Sequence, residues 1–477
     1  MKKILTTALA LLFVCIVFVT ACGPAGLKDN PERNVTVYGN GGMAAVKGDY
    51  LYFVNGYQDY TLYTDINKDN KFGSVTRSGI YRTKLVDGEV VRDENGFVVN
   101  VECVVPQCVG FDNGSFYIVG DYIYYVTPHM ENSNVDGNKQ LMNSWVDVCR
   151  IKIDGTDQER LFYTTNDAKD LKWTIYTIDN NPYIVMLDKS ELLCYDVEND
   201  ETVKMAENVS VALLHQENYT FNSTNLTEAE QYIYYTREYK DDENHVAGNK
   251  LCKVKIGTSE EIVVAADNEN KFTIKQIANG YVYYTKVQDD GNSWVESLYR
   301  RQMQAGNASG EEIKVCSGYS KYYVIENGIG EYVIALDSNN WMYLVNNTQR
   351  TIIYKGGSSI NILGLDDNKV YFVESSKIYS VSYVDGLQDE ATLITNSDKT
   401  YKLDNTNLID FDGRRLYVLA SYTSESGESY YYLNLIDRYD TDTESEFVGD
   451  MSANERPAEP EEYENEDGEM VKDLWVK

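Results

Sequence analysis

Residues 279–285 read NGYVYYT, and nearly the same phrase returns as GDYLYFV at 48–54, GDYIYYV at 120–126, EQYIYYT at 230–236 and DNKVYFV at 367–373. Tyrosine and β-branched residues suit pleated, half-buried strands. The Gly, Asp and Asn residues that open most of these phrases suit tight turns. After a loop, each phrase leads to a second strand, as in GIYRTKL at 79–85, DVCRIKI at 147–153, KLCKVKI at 250–256 and SLYRRQM at 297–303. A turn follows, Asp-Gly at 154–155 and at 385–386, and then a third strand such as ERLFYTT at 159–165 or EEIVVAA at 260–266. An apolar run such as FTIKQIA at 272–278 precedes the phrase. In chain order the four strands are termed a, b, c and d.

The b strand recurs near residues 48, 120, 181, 230, 279, 330, 367 and 413. Four short strands repeated about every 50 residues are the sequence signature of a β-propeller. YVYY and YIYY are apolar on both faces, as in a sheet covered on both sides. The expected fold is all-β: a single β-propeller of four-stranded antiparallel blades over 34–449. Eight blades are expected, with seven as the alternative if the irregular unit at 181–208 is decoration. Asn34–Tyr38 is expected to close the ring as an outer strand beside Ser445–Val448.

The strand G-x-Y-I-Y-Y-T with its L-Y-R-x-x-x-D-G hairpin resembles the YWTD-type propeller of low-density-lipoprotein-receptor-related proteins. More closely, it resembles a bacterial lipoprotein family of unknown function that carries such repeats. Tyr or Phe fills the Trp position here, and the Asp after Thr is absent. The resemblance implies a fold and a location, and no activity.

The location is also written at the start of the chain. Lys2 and Lys3 precede an apolar run from Ile4 to Val19, the secretory pattern. Val19-Thr20-Ala21-Cys22 resembles the bacterial lipobox, which implies cleavage after residue 21 and acylation of Cys22 by palmitate-class chains. Two such chains hold a protein stably on a bilayer. Residues 1–21 are therefore expected to be a signal peptide and 22–33 a lipidated tether. The protein would sit on the extracytoplasmic side of the bacterial cell membrane. The stretch 450–477, with EPEEYENEDGE at 459–469, is expected to be an acidic and largely disordered tail.

The formal net charge is −32. Such a surface repels phosphate backbones, so a nucleic-acid partner is not expected. Histidine occurs three times, at His129, His215 and His245, which leaves little for a histidine-based metal site. Asp65-Ile-Asn67-Lys-Asp69 matches the start of a calcium loop, but Asn70 and Thr76 replace the usual Gly and Glu. Asp65, Asn67 and Asp69 thus form only a weak Ca²⁺ candidate, and no cofactor is expected.

The b–c loops at 55–78, 127–146, 237–249 and 286–296 are long, and an up-and-down blade places all of them on one rim. They carry Tyr57, Tyr60, Tyr63, Trp145 and Trp294. Aromatic rims suit sugar stacking or protein contact. The two tryptophans, each in an NSWV phrase, either bind a ligand or cap their own blades. Cys149, Cys194 and Cys252 stand where other units place Tyr81, Tyr299 or Tyr379, and read as buried thiols. Cys103 and Cys108 either close a small loop or stay free. These features describe a non-catalytic, lipid-anchored module for an extracellular protein or cell-wall glycan. The alternative is a glycan hydrolase or lyase whose carboxylates converge in the central funnel.

Overall fold

The computed structural model describes residues 26–447, interrupted chiefly at 56–70, 93–98, 106–115, 133–138, 165–170, 215–224, 326–331, 395–399, 402–414 and 424–428. The strands 462–464 and 470–472 are described as well, and from residue 400 onward the description is of the backbone.

The chain folds into successive four-stranded antiparallel meanders, each in the order a-b-c-d. Sheet I holds Ala44–Lys47, Tyr50–Asn55, Gly79–Val86 and Glu102–Val105. Sheet II holds Phe116–Val119, Tyr122–Asn132, Lys139–Lys152 and Glu159–Thr164. Sheet III holds Lys172–Ile178, Asn181–Asp188, Glu191–Asp196 and Glu201–Ala206. Sheet IV holds Val209–Ala212, Tyr232–Lys240, Val246–Lys255 and Glu261–Asp267. Sheet V holds Phe272–Ala278, Tyr281–Asp289, Trp294–Gln302 and Ile313–Ser317. Sheet VI holds Lys321–Val324, Val333–Leu336, Trp341–Val345 and Arg350–Lys355. Sheet VII holds Ile360–Leu365, Lys369–Glu374, Lys377–Ser382 and Thr392–Leu393. Sheet VIII holds Thr400–Tyr401, Arg415–Thr423, Ser429–Asp437 and Glu444–Phe447.

This is a single all-β propeller. Sheets I to VII are seven blades whose side-chain packing is described, which is the alternative count from the sequence and not the expected eight. Sheet VIII is described through its strand pairing. The unit suspected of being decoration is the regular sheet III. In the acidic stretch expected to be disordered, Glu462–Glu464 pairs with Met470–Lys472 as a short hairpin.

Burial runs between sheets. Ile175, Ile184 and Met186 of sheet III pack with Tyr117, Tyr124 and Val148 of sheet II. On the opposite face of sheet III, Val185, Leu192 and Cys194 pack with Ile233, Tyr235 and Cys252 of sheet IV. The same alternation continues from IV to V, from V to VI and from VI to VII. Polar links pin the joints. Lys47 Nζ donates to the Gly120 carbonyl (2.5 Å), and the Tyr117 hydroxyl to the Trp173 carbonyl (3.2 Å). Lys253 Nζ donates to the carbonyls of Gln304 (2.5 Å) and Ala308 (2.8 Å), and Asn279 to the Ile325 carbonyl (3.0 Å).

The repeated phrase has a structural meaning at each tyrosine. The c-strand cations Arg82, Arg150, Lys253 and Arg300 pair across the ladder with Tyr52, Tyr124, Tyr234 and Tyr283. Each cation lies over the tyrosine two residues earlier, 4.6, 4.7, 4.8 and 4.5 Å from the rings of Tyr50, Tyr122, Tyr232 and Tyr281. Cation–π contact lets a charge sit within an apolar joint. On the other face, the hydroxyls of Tyr125, Tyr235 and Tyr284 bond Gln158, Glu261 and Glu312 near the start of strand d. Most phrases are entered through a tight turn. Asn279 and Gly280 both hold positive φ (52° and 75°), as a type I′ hairpin requires.

Cys149 and Cys252 pair with Tyr125 and Tyr235, the same place as Tyr81, Tyr299 and Tyr379. Cys194 departs from that expectation. It pairs with Val185 and so occupies the place of Arg82 and Arg150, one rung along. Leu193, opposite Met186, takes the position expected for the cysteine.

Sheet V contains a carboxylate latch. Burial alone would raise the Glu312 carboxyl, but bonds from Lys286 (2.6 Å) and Tyr284 (2.5 Å), with Arg301 at 3.2 Å, hold it below its usual range. A depressed folded-state pKa contributes stability above the unfolded value of about 4.3, and that stability is lost as pH falls through the folded value. Glu312→Gln is therefore expected to cost more stability at pH 7 than at pH 3 in paired urea titrations. An equal cost at both pH values refutes the latch.

Candidate functional site

An up-and-down meander puts a–b and c–d turns on one rim and b–c turns on the other. The b–c rim is uneven. Sheets III, VI and VII turn there within 189–190, 337–340 and 375–376. Sheets II, IV and V instead extend their hairpins, reaching the pairs Asn132↔Lys139, Lys240↔Val246 and Asp289↔Trp294. The stretches 127–146, 237–249 and 286–296, expected to be loops, are therefore largely ladder. Continued pairing satisfies the backbone groups that a loop would leave to water. The sheet II hairpin runs five rungs past the buried Thr127, roughly 17 Å.

Trp145 and Trp294 both lie on these hairpins, within one rung of equivalent positions. Val146 pairs with Pro128 and Met142 with His129, so residues 143–145 are looped out of the ladder. Trp294 instead pairs directly with Asp289. Tyr57, Tyr60, Tyr63, Asp65, Asn67, Asp69, Cys22 and Cys108 lie outside the described residues. Lys71–Phe72 pairs with Val75–Thr76 as a hairpin, across positions seven to twelve of the calcium-loop pattern. Among the described residues, no group of three His, Cys, Asp or Glu side chains is placed to hold a metal ion.

The a strands line the centre. Across sheets I to VIII they carry Lys47, Lys172, Lys275 and Lys321, and no aspartate or glutamate. Lys321 donates to the Ile360 carbonyl (3.1 Å), and Lys275 lies 3.3 Å from Glu296. A carboxylate pair in the funnel would thus have to come from loops. Four of the described thiols are poor nucleophiles. Burial pushes Cys149, Cys194, Cys252 and Cys316 up to about 12.

The opposite rim holds a feature that sequence reasoning misplaced. Residues 34–38 do not close the ring beside strand 444–447. Val37–Tyr38 pairs antiparallel with Val119 and Ile118 on the inner edge of sheet II. That edge offers unpaired backbone groups, and Val37 is fully buried there against Tyr117 and Trp173. The preceding residues form a strap across the a–b/c–d rim. Leu27 N–H donates to the Asp154 carbonyl in the c–d turn of sheet II (2.9 Å). Buried Arg82 donates to Asn30 Oδ1 (2.5 Å), to the Ile153 carbonyl (3.3 Å) and to Glu102 (2.8 Å). A cleft of about 480 Å³ remains between strap and sheet I, bordered by Asp29, Tyr38, Lys47, Asp49, Tyr50 and Lys84. The alternation in NVTVY marks a strand, but nothing in it names the edge it joins.

No family model matches the chain, and no curated protein matches it. Several solved structures are similar in part. Oligopeptidase B from Leishmania major is 10% identical with a TM-score of 0.44, over 74% of this chain and 52% of that one. Apo AztD from Citrobacter koseri is 11% identical with a TM-score of 0.40, over 87% and 96%. The β-propeller domain of the Trilobed protease from Pyrococcus furiosus is 11% identical with a TM-score of 0.37, over 69% and 92%. The chain spans about half the length of the oligopeptidase that it matches.

If Arg82 fixes the strap, Arg82→Met is expected to speed amide exchange at Leu27 and Val37. It should also lower the unfolding free energy by about 1–3 kcal/mol, the usual cost of stranding buried partners. Unchanged exchange at both amides removes Arg82 from that role.

Proposed function

We propose that this protein is a non-catalytic binding module, held on the extracytoplasmic face of a bacterial membrane through Cys22 and presenting its b–c rim to a protein or cell-wall glycan. The reading includes kinship with the bacterial lipoproteins of unknown function that carry YWTD-like repeats. Its main support is the division of labour between rims. Extended hairpins bearing Trp145 and Trp294 stand on one rim, and the N-terminal strap crosses the other. A funnel hydrolase draws less support, because the a strands supply no carboxylate. Trp145→Ala with Trp294→Ala is expected to reduce capture of cell-wall glycan or surface protein by at least tenfold, with the melting temperature nearly unchanged. Intact capture by the double variant removes the aromatic rim from the reading.

We count sheet VIII as the eighth blade, because its strand Ser429–Asp437 lies beside Tyr50–Asn55 of sheet I. Without a neighbour on that side, the outer face of sheet I would be bare. A chain ending at residue 399 is expected to aggregate or to lose its cooperative thermal transition. A soluble, cooperatively folding truncation would favour a ring of seven with sheet VIII outside it.

A further inference from the structure

The strap fixes which side of the ring an anchor at Cys22 can approach. We propose that the a–b/c–d rim at sheets I and II lies against the lipid headgroup surface, so that the b–c rim faces away from the membrane. This rests on the anchored reading above.

The argument is one of covalent reach. Leu27 is bonded to the c–d turn of sheet II, and Asn30 is held by Arg82 under the same rim. Pro31 borders the a–b turn of sheet I at Gly48. Val37–Tyr38 then runs antiparallel to the a strand of sheet II, down from that rim into the centre. From Cys22 to Leu27 there are five residues, which span at most about 17 Å when fully extended. A chain that short cannot carry the acyl group around a blade to the other rim, because one extended hairpin there is already about as long. The anchored protein is therefore held close to the bilayer in one orientation, without a swinging tether.

Exposed apolar side chains on the same rim agree with this placement. Among the described residues, Val86 at the c–d turn of sheet I is 55% exposed. Val384 and Leu387 in the c–d turn of sheet VII are 52% and 45% exposed. All three stand on the strap's rim. The same turns carry Asp87 and Asp385, and the c–d turn of sheet II carries Asp154, so charge does not draw this rim to anionic lipid. The covalent anchor holds it there, and the apolar tips meet the headgroup layer.

The test uses acylated protein extracted from membranes, with Cys103 and Cys108 replaced by serine. The four described buried thiols, pushed up to about 12, will not label under mild conditions. A fluorophore is attached at Glu89→Cys, in the c–d turn of sheet I, or at Ser190→Cys, in the b–c turn of sheet III. Both positions are exposed. The protein is inserted into phosphatidylcholine vesicles that carry headgroup nitroxide. Quenching is expected to be at least threefold stronger at position 89 than at position 190. Equal quenching, or stronger quenching at 190, overturns the orientation while leaving the anchor intact. An unacylated Cys22 by mass spectrometry overturns the anchor, and the orientation with it.

Discussion

The first part of strand b in sheet V, Val282–Thr285, is buried on both of its faces. Val282 and Tyr284 pack toward sheet IV with Phe272 and Tyr299, while Tyr283 packs toward sheet VI with Leu298 and Val333. One strand cannot bury both sets by itself, so each sheet depends on two neighbours. The rest of the architecture follows from that dependence. Units must repeat, they must stack in one sense, and the stack must curve toward closure. The tyrosines suit the task because each brings a large apolar ring and a hydroxyl that reaches a polar partner at the joint's edge.

Polar groups within the joints are then confined to a few repeated solutions. The c-strand cation rests on a tyrosine ring, and the third tyrosine of the phrase bonds an acid or amide near the start of strand d. The a strands lack acids altogether, and the large negative charge lies elsewhere, on strands b to d, on the connections and toward the C-terminus. Inner strands that carry lysines but no acids, within a strongly acidic chain, are a consequence of this sorting. Two of those lysines serve the joints directly, Lys47 between sheets I and II and Lys321 between VI and VII.

Much of this was legible in the residues. The Y-x-Y-Y phrase and the YR or CK dipeptide of strand c are each other's partners across one ladder, so their co-occurrence reported a contact. Where the phrase decays, in sheet III, the reading slipped by one rung and misplaced Cys194, because Tyr183 stands alone in strand b and the paired tyrosines that mark the register elsewhere are missing. The extended hairpins were read as loops for a related reason. Segments such as REYK and KVQD are polar on both sides, and polarity alone does not separate a solvated ladder from a loop.

The sequence alone determined the all-β propeller class and the buried character of the repeat-position thiols, because both follow from local periodicity and residue type. Tertiary structure alone decided where the N-terminal strand pairs, which rim the strap crosses and how far each b–c hairpin rises. Those are questions of which edge is free and which neighbour is near. A two-residue strand such as Val37–Tyr38 carries too little pattern to choose its partner. That choice was made by an unpaired inner edge of sheet II and by an arginine 52 residues away from Asn30 in the chain.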